Sequence, residues 1–396
     1  MQDPELQRGV LDRLKRAVRR FFPGPAQAET DRGTLYVHVG THKTGTSALQ
    51  LFLSRNRRQL AQHGLSYPTL GCTPEGAHHY IANALKGPPF PLIKPELSAD
   101  EYLEGLRQEL LSQTRVLVSS EIFMRLLPGF KPALVEEMSA LARLSEVAER
   151  VRPILYLRLQ EDYLESFYRQ TVLEQVKLSP EEFVEQRYLD YREICEQLEQ
   201  VFGPGSPIVR VYDRSQFVEG NLFADFLSIF AIRPDSRFEA SDLQANPTFD
   251  ADAIEFRRQL NLLGLELQDA TSFNAPLRRF SQQKLFGSEQ GPHRNFMGKP
   301  LRQKIRAQSA PINQYIAERL PAHGALSGSP GELKRDSLVT TYTGLDATAV
   351  RDIVEFLRQD SPESIDRLSK IQGTCGVERS ESRAFLQWLE EALAGH

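Results

Sequence analysis

The chain has 396 residues, 40% apolar and 25% charged, a globular composition with room for one large domain or two ordinary ones. Its formal net charge of -4 offers no excess of positive charge for nucleic acid, and no apolar run reaches the roughly 18 residues of a membrane span. The cysteines Cys72, Cys195 and Cys375 lie far apart without C-x-x-C spacing, and the N-terminus lacks the apolar core of a secretory signal, so a reducing, cytoplasmic location is expected.

Residues 5–22, "ELQRGVLDRLKRAVRRFF", read as an amphipathic helix. Leu6, Val10, Leu14, Val18 and Phe21 recur at helical spacing, and Arg13, Lys15, Arg16, Arg19 and Arg20 fall off that stripe. Such a helix packs on the main domain or lies on an anionic membrane surface. "PGPAQAETDRG" follows as a linker, so 1–30 form a separate opening element. From Thr34 the pattern becomes α/β. "TLYVHVG" is a short apolar strand. "TSALQLFLSRNRRQLAQHG" is a helix with Leu49, Phe52, Leu53 and Leu60 on one side, ending at Gly64. "LSYP" suits a short strand. "RVLVSSE" (Arg115–Glu121), "RPILYLRL" (Arg152–Leu159) and "PIVRVYD" (Pro207–Asp213) are strand-length apolar runs separated by helical stretches. Strands alternating with helices predict an α/β fold, a parallel β-sheet flanked by helices. After Ala240 the strand signal fades. Helices are expected in "DADAIEFRRQLNLLG" and "INQYIAERL", and 326–396 reads as a helical C-terminal extension.

The chemistry concentrates in "GTHKTGTSALQ". A strand, a glycine-containing turn and a helix place backbone N–H groups at a helix N-terminus, which favours an anion. Gly40 and Gly45 have the spacing of a G-x-x-x-x-G-K-[ST] phosphate loop and Ser47 follows, but Thr46 stands where the lysine belongs. The lysine appears earlier, as Lys43, and Thr44, Thr46 and Ser47 add hydroxyls. A Mg²⁺-dependent P-loop kinase would also need a strand-end aspartate, and "VLVSSE" ends in Glu121 instead.

"GTHKTGTSALQ" resembles the 5′-phosphosulfate-binding loop of the sulfotransferases, which use 3′-phosphoadenosine 5′-phosphosulfate (PAPS). Lys43, Thr44, Gly45, Thr46 and Ser47 match that loop position for position, and His42 to Ser47 are the expected cofactor contacts. In "LYLRLQEDYLESFYRQ", Arg158 closes a strand and Ser166 follows eight residues later. The family has an arginine and a serine so placed, both on the cofactor 3′-phosphate. An arginine fork and a helix-borne hydroxyl suit a dianion. Taken without the loop, Arg158 is an ion-pair partner for Glu161 or Asp162. The resemblance covers Thr34 to Ile232 and implies a P-loop NTPase-like fold within residues 31–325, and a PAPS-dependent O-sulfotransferase without a metal. "RNFMGKP" (Arg294–Pro300) is the candidate counterpart of the family's cofactor-closing segment.

The acceptor hydroxyl needs a general base. Glu121 at its strand end is the first candidate and His79, beside His78 in "GAHHYIANAL", the second. Alternatively Glu121 orients Lys43, a hydroxyl or an arginine. Lys43 would stabilise the leaving oxygen. The acceptor is expected to be a glycan hydroxyl, ahead of a lipid headgroup or a small metabolite. The segment Tyr67–Gln113 would border it, with Tyr67, Tyr80, Phe90 and Tyr102 as candidate sugar-stacking rings and "GPPFPLIKP" as a wall or lid. The basic helix at 5–22 would suit a membrane-linked glycan. A kinase acting on a small hydroxyl compound is the alternative.

Overall fold

A computed structural model describes residues 33–86, 94–124, 138–187, 189–239, 249–265, 267–287, 294–319, 326, 340–371 and 380–395. The basic segment 5–22, Phe90 and most of "GPPFPLIKP" lie outside them. The chain divides into two compact units: Met1–Leu159, Leu189–Asp242 and Ser309–Glu332 in the first, Gln160–Tyr188, Leu243–Gln308 and Leu333–His396 in the second.

The first unit is built on a parallel sheet of β1 (Thr34–Gly40), β2 (Arg115–Ser119), β3 (Arg150–Leu157) and β4 (Ile208–Val211), in the order β2-β1-β3-β4. Every residue of β1 and β2 is buried. That is why these strands read as continuous apolar runs: a parallel sheet is covered on both faces. His38 pairs in register with Ser119 on one side and Ile154 on the other, and the register with β3 shifts between His38 and Gly40. "LSYP" contributes a single bridge, Ser66 to Val116.

In chain order the first unit takes α1 (Thr46–Arg55), α2 (Arg57–Gln62), α3 (His79–Lys86) and α4 (Ala99–Ser112). The second unit then takes α5 (Gln160–Leu173) and α6 (Pro180–Gln186). The first resumes with α7 (Tyr191–Phe202) and α8 (Leu222–Ser228). Next come α9 (Ala251–Leu262), α10 (Leu267–Ser272) and α11 (Asn274–Gly287) of the second unit. The helix α12 (Lys299–Arg319) belongs to the second unit through Gln308 and to the first from Ser309. The second unit ends with α13 (Ala347–Asp360), α14 (Pro362–Ile371) and α15 (Ser380–Ala394).

The helix expected after the loop is broken at Asn56. Asn56 is fully buried, and its side chain donates to the carbonyls of Phe52 and Glu239 and accepts the Glu239 N–H. A short amide side chain that bonds nearby backbone competes with the helical ladder. The anticipated apolar stripe is intact: Leu49, Phe52, Leu53 and Leu60 form one core with Tyr36, Leu117, Ile154 and Tyr156 of the sheet and Phe226 and Leu227 of α8.

In the second unit α9 is buried along its length, and α5, α11, α13 and α15 pack on it. The helices α13 and α15 of the expected C-terminal extension therefore share its core. Phe256 meets Phe385 edge to face at 5.3 Å, and Arg279 pairs with Asp360 at 2.6 Å. Beyond Ala240, where no strand was expected, Arg294–Asn295 and Thr340–Thr341 form a short parallel pair. No helix among the described residues is long and apolar enough to cross a membrane.

Leu53→Ala is expected to destabilise the protein by about 2–5 kcal/mol through a cavity under the sheet. Leu111→Ala, at a position 76% exposed, should stay within about 0.5 kcal/mol. Urea denaturation of both variants checks the pair.

Candidate functional site

The chain leaves β1 toward β2 on one side, while β3 lies on the other side of β1. Strand order therefore reverses between β1 and β3. In open α/β sheets, ligands bind beyond the carboxyl ends of the strands at such a point. The loop His42–Ser47 follows β1 there, and Arg158 follows β3 directly.

Two glycines shape the loop. Gly40 has φ 95°, and a β-carbon there would sit 3.3 Å from Cβ of Glu121. Gly45 has φ 73°, and a β-carbon there would come within 2.8 Å of Leu222 Cδ2 and 3.1 Å of the Tyr212 hydroxyl. Between them Lys43 is also left-handed, at φ 66°. That conformation costs an L-residue roughly 1–2 kcal/mol. It is held by Arg158, whose Nη1 donates to the Lys43 carbonyl at 3.0 Å. Arg158 is itself fixed: its carbonyl accepts from the Tyr191 hydroxyl at 2.7 Å, and its guanidinium lies over the Tyr212 ring. Thr41 anchors the loop start to the Tyr156 carbonyl through both its N–H and its hydroxyl.

The expected hydroxyl donors are not equivalent. The Thr44 hydroxyl donates to the Thr41 carbonyl, so it staples the loop and leaves only the backbone of Thr44 for a ligand. Thr46 is buried, and Ser47 is exposed. α1 begins at Thr46 with Gly45 as its N-cap and no side-chain cap. Its first-turn N–H groups and the helix dipole give that end a partial positive charge, the kind of environment that suits an anion.

A second group of polar side chains gathers at the end of β2. Glu121 opens a 3₁₀ turn, Glu121–Met124. Its Oε2 accepts from Gln50 Nε2 at 2.9 Å, and the same amide reaches Ser119 Oγ at 3.3 Å. His79, the first residue of α3, places Nδ1 2.7 Å from Ser120 Oγ. Burial pushes the Glu121 carboxyl up, but the His79 charge, the Gln50 bond and His42 outweigh it and leave it below the usual carboxylate range. Burial lowers His79 against the pull of Glu121 and Glu75. At neutral pH the site thus carries an ionised carboxylate beside a neutral imidazole. Where His79 Nδ1–H donates to Ser120, Nε2 presents its lone pair.

The neighbouring histidines do different work. His78 Nδ1 accepts the Ser119 N–H at 3.1 Å, so Nε2 carries the proton and donates to the Pro68 carbonyl at 3.0 Å. Burial holds His78 at about 3. His38 faces Ser119 Oγ through Nδ1 at 2.8 Å and is pushed down to about 4 by burial.

Of the residues singled out in the sequence, His42 to Ser47, Arg158, Glu121 and His79 all lie at the carboxyl ends of the strands or immediately beyond them. Ser166 is half-buried on α5 of the second unit. Glu161 and Asp162, the alternative partners for Arg158, pair with Arg306 and Arg302 of α12, each at 2.6 Å. In "RNFMGKP", Arg294 is bound to Asp250 and Asp252, and the Met297 N–H donates to Glu165. Tyr67 and Tyr102 are core residues at 2% and 1% exposure, so neither ring is open for stacking on a sugar; Tyr80 is half-buried. Sequence reasoning missed Gln50, His38 and Tyr212. A glutamine among the buried leucines of α1 was the available signal for the first. Among the described residues no group of three or more His, Cys, Asp or Glu side chains could hold a metal ion.

No family model matches the chain, and no solved structure does. An uncharacterized protein of Archaeoglobus fulgidus is 33% identical over 156 residues, 39% of this chain. The match spans 40% of that relative's length.

Two measurements test the site. Gln50→Leu removes a bond that lowers Glu121, so the Glu121 carboxyl should titrate higher by NMR, and an unmoved value would release Gln50 from this role. The unfolded chain protonates histidine near 6.5, while folded His38 resists protonation down to about 4. Stability should therefore fall with acidification through that window, by about 1.4 kcal/mol per pH unit per buried histidine. Denaturation at stepped pH on wild type and His38→Gln should show a shallower slope in the variant.

Proposed function

We propose that the first unit is a PAPS-dependent O-sulfotransferase of P-loop NTPase-like fold acting on a glycan hydroxyl. The observation that carries this reading is the bond from Arg158 to the Lys43 carbonyl. It joins the strand-end arginine and the lysine-bearing loop where the strand order reverses. In this reading the α1 N-terminus and Ser47 hold the cofactor 5′-phosphate, and Arg158 holds the 3′-phosphate. Arg158 also keeps Lys43 in place while binding.

The acceptor oxygen attacks sulfur, a new O–S bond forms, and the bond from sulfur to the 5′-phosphate oxygen breaks. The leaving adenosine 3′,5′-bisphosphate takes that electron pair, and Lys43 stabilises the charge on its oxygen. The acceptor proton passes to Glu121. His79, neutral at pH 7, is the second candidate, and its pKa is the better matched to proton transfer at that pH. The two differ in pH profile. With Glu121 as base, activity persists on acidification until the carboxyl itself is protonated. With His79 as base, activity is lost at higher pH.

Calorimetry decides the donor. Metal-free binding of adenosine 3′,5′-bisphosphate is expected, weakened about tenfold to a hundredfold in Arg158→Ala by loss of charge-assisted bonds. Preference for ATP with Mg²⁺ would instead favour phosphoryl transfer to a small hydroxyl compound.

A further inference from the structure

The second unit contains a cavity of about 520 Å³ that the chemistry above does not use. Its volume falls in the range of small-ligand sites. One wall is a single face of α9. Glu255, Arg258 and Gln259 are 8%, 4% and 5% exposed, and all three line the cavity. Arg258 donates to both carboxylate oxygens of Glu255, at 2.8 and 2.9 Å, and Gln259 Nε2 donates to Oε1 at 2.8 Å. Arg258 Nη1 also reaches the Lys177 carbonyl. Three planar polar groups are thus locked in one orientation.

A buried ion pair is weak evidence for stability, because apolar side chains of similar volume often serve as well. Here the pair borders an opening, next to aromatic surface. Half-buried Trp388 and Tyr342 line the same cavity and present ring surface to it, while the buried Phe385 and Phe296 back them, Phe296 meeting Tyr342 at 4.9 Å. The exposed segment around Thr343 and Gly344 lines it as well.

We infer that this cavity binds a neutral polyhydroxylated ring, a sugar unit of a glycan. A sugar presents C–H faces that pack on aromatic rings and hydroxyls that pair with planar carboxylate, amide and guanidinium groups. An anion is disfavoured: the Arg258 charge is neutralised by Glu255, and Glu181 adds a negative charge to the lining. A purely apolar ligand is disfavoured because it would strip water from the ion pair without replacing its hydrogen bonds. The site needs no nucleotide and does not depend on transfer chemistry in the first unit.

The chain has a single tryptophan, Trp388, so its emission reports on this wall. Maltose, cellobiose and lactose are titrated separately into the full chain. At least one should give a saturable change in emission. Glu255→Gln and Thr343→Phe should each weaken that response about tenfold or more. Thr343 is exposed, so Thr343→Phe narrows the opening without disturbing the core. No saturable response to any of the three sugars would overturn the inference. So would a response unaltered in Thr343→Phe, or saturation by choline chloride or inorganic phosphate in place of sugar. Adenosine 3′,5′-bisphosphate calorimetry on the same protein reads the first unit separately, so failure of one reading leaves the other standing.

Discussion

Arg158 donates to the carbonyl of Lys43 across the ends of two neighbouring parallel strands. No covalent connection crosses there, because the chain leaves β1 for one edge of the sheet and β3 continues to the other. Without a tie, a loop with three left-handed residues at Gly40, Lys43 and Gly45 would have many conformations to lose on meeting a ligand. The tie works because Arg158 is held on its own side by Tyr191 and Tyr212. Loop shape thus depends on the sheet, on α7 and on the residue that follows β4.

The end of β2 follows a different rule. Here polar side chains are buried, and their hydrogen bonds set their protonation. Ser119 gathers His38 and Gln50, and its backbone N–H selects the tautomer of His78. Burial disfavours the charged imidazoles, while the Gln50 amide favours the charged carboxylate of Glu121, joined by His79 and His42 at the low pH where they carry charge. An ionised acid and neutral bases side by side result from desolvation and partners together, and neither alone would give them.

The second unit spends its polar burial on one helix. α9 is buried on every side, yet it carries Asp252, Glu255, Arg257, Arg258, Gln259 and Asn261. Most are answered locally: Asp252 by Lys284 and Arg294, Arg257 by Asn261 and Asn274. The face at Glu255, Arg258 and Gln259 is answered too, and it borders the cavity to which we assign recognition in addition to packing.

The sequence by itself determined the strands of the first unit. β1 matches its expected bounds and β2, β3 and β4 fall within two residues of theirs, because strands buried on both faces must be apolar throughout. It also determined the loop and the start of its helix, since positive φ together with the close approach of Glu121 at Gly40, and of Leu222 and Tyr212 at Gly45, favours residues without a β-carbon. Only the tertiary structure decided the roles of particular polar groups. Asn56 breaks a helix by bonding Glu239, far along the chain. Thr44 turns its hydroxyl inward, and Gln50 and His38 find partners on β2. The helices after Leu333 join a core with segments from the middle of the chain. Periodicity and local geometry are properties of neighbouring residues, so they can be read in one dimension. A hydrogen bond between distant segments exists only once the fold has brought its two ends together.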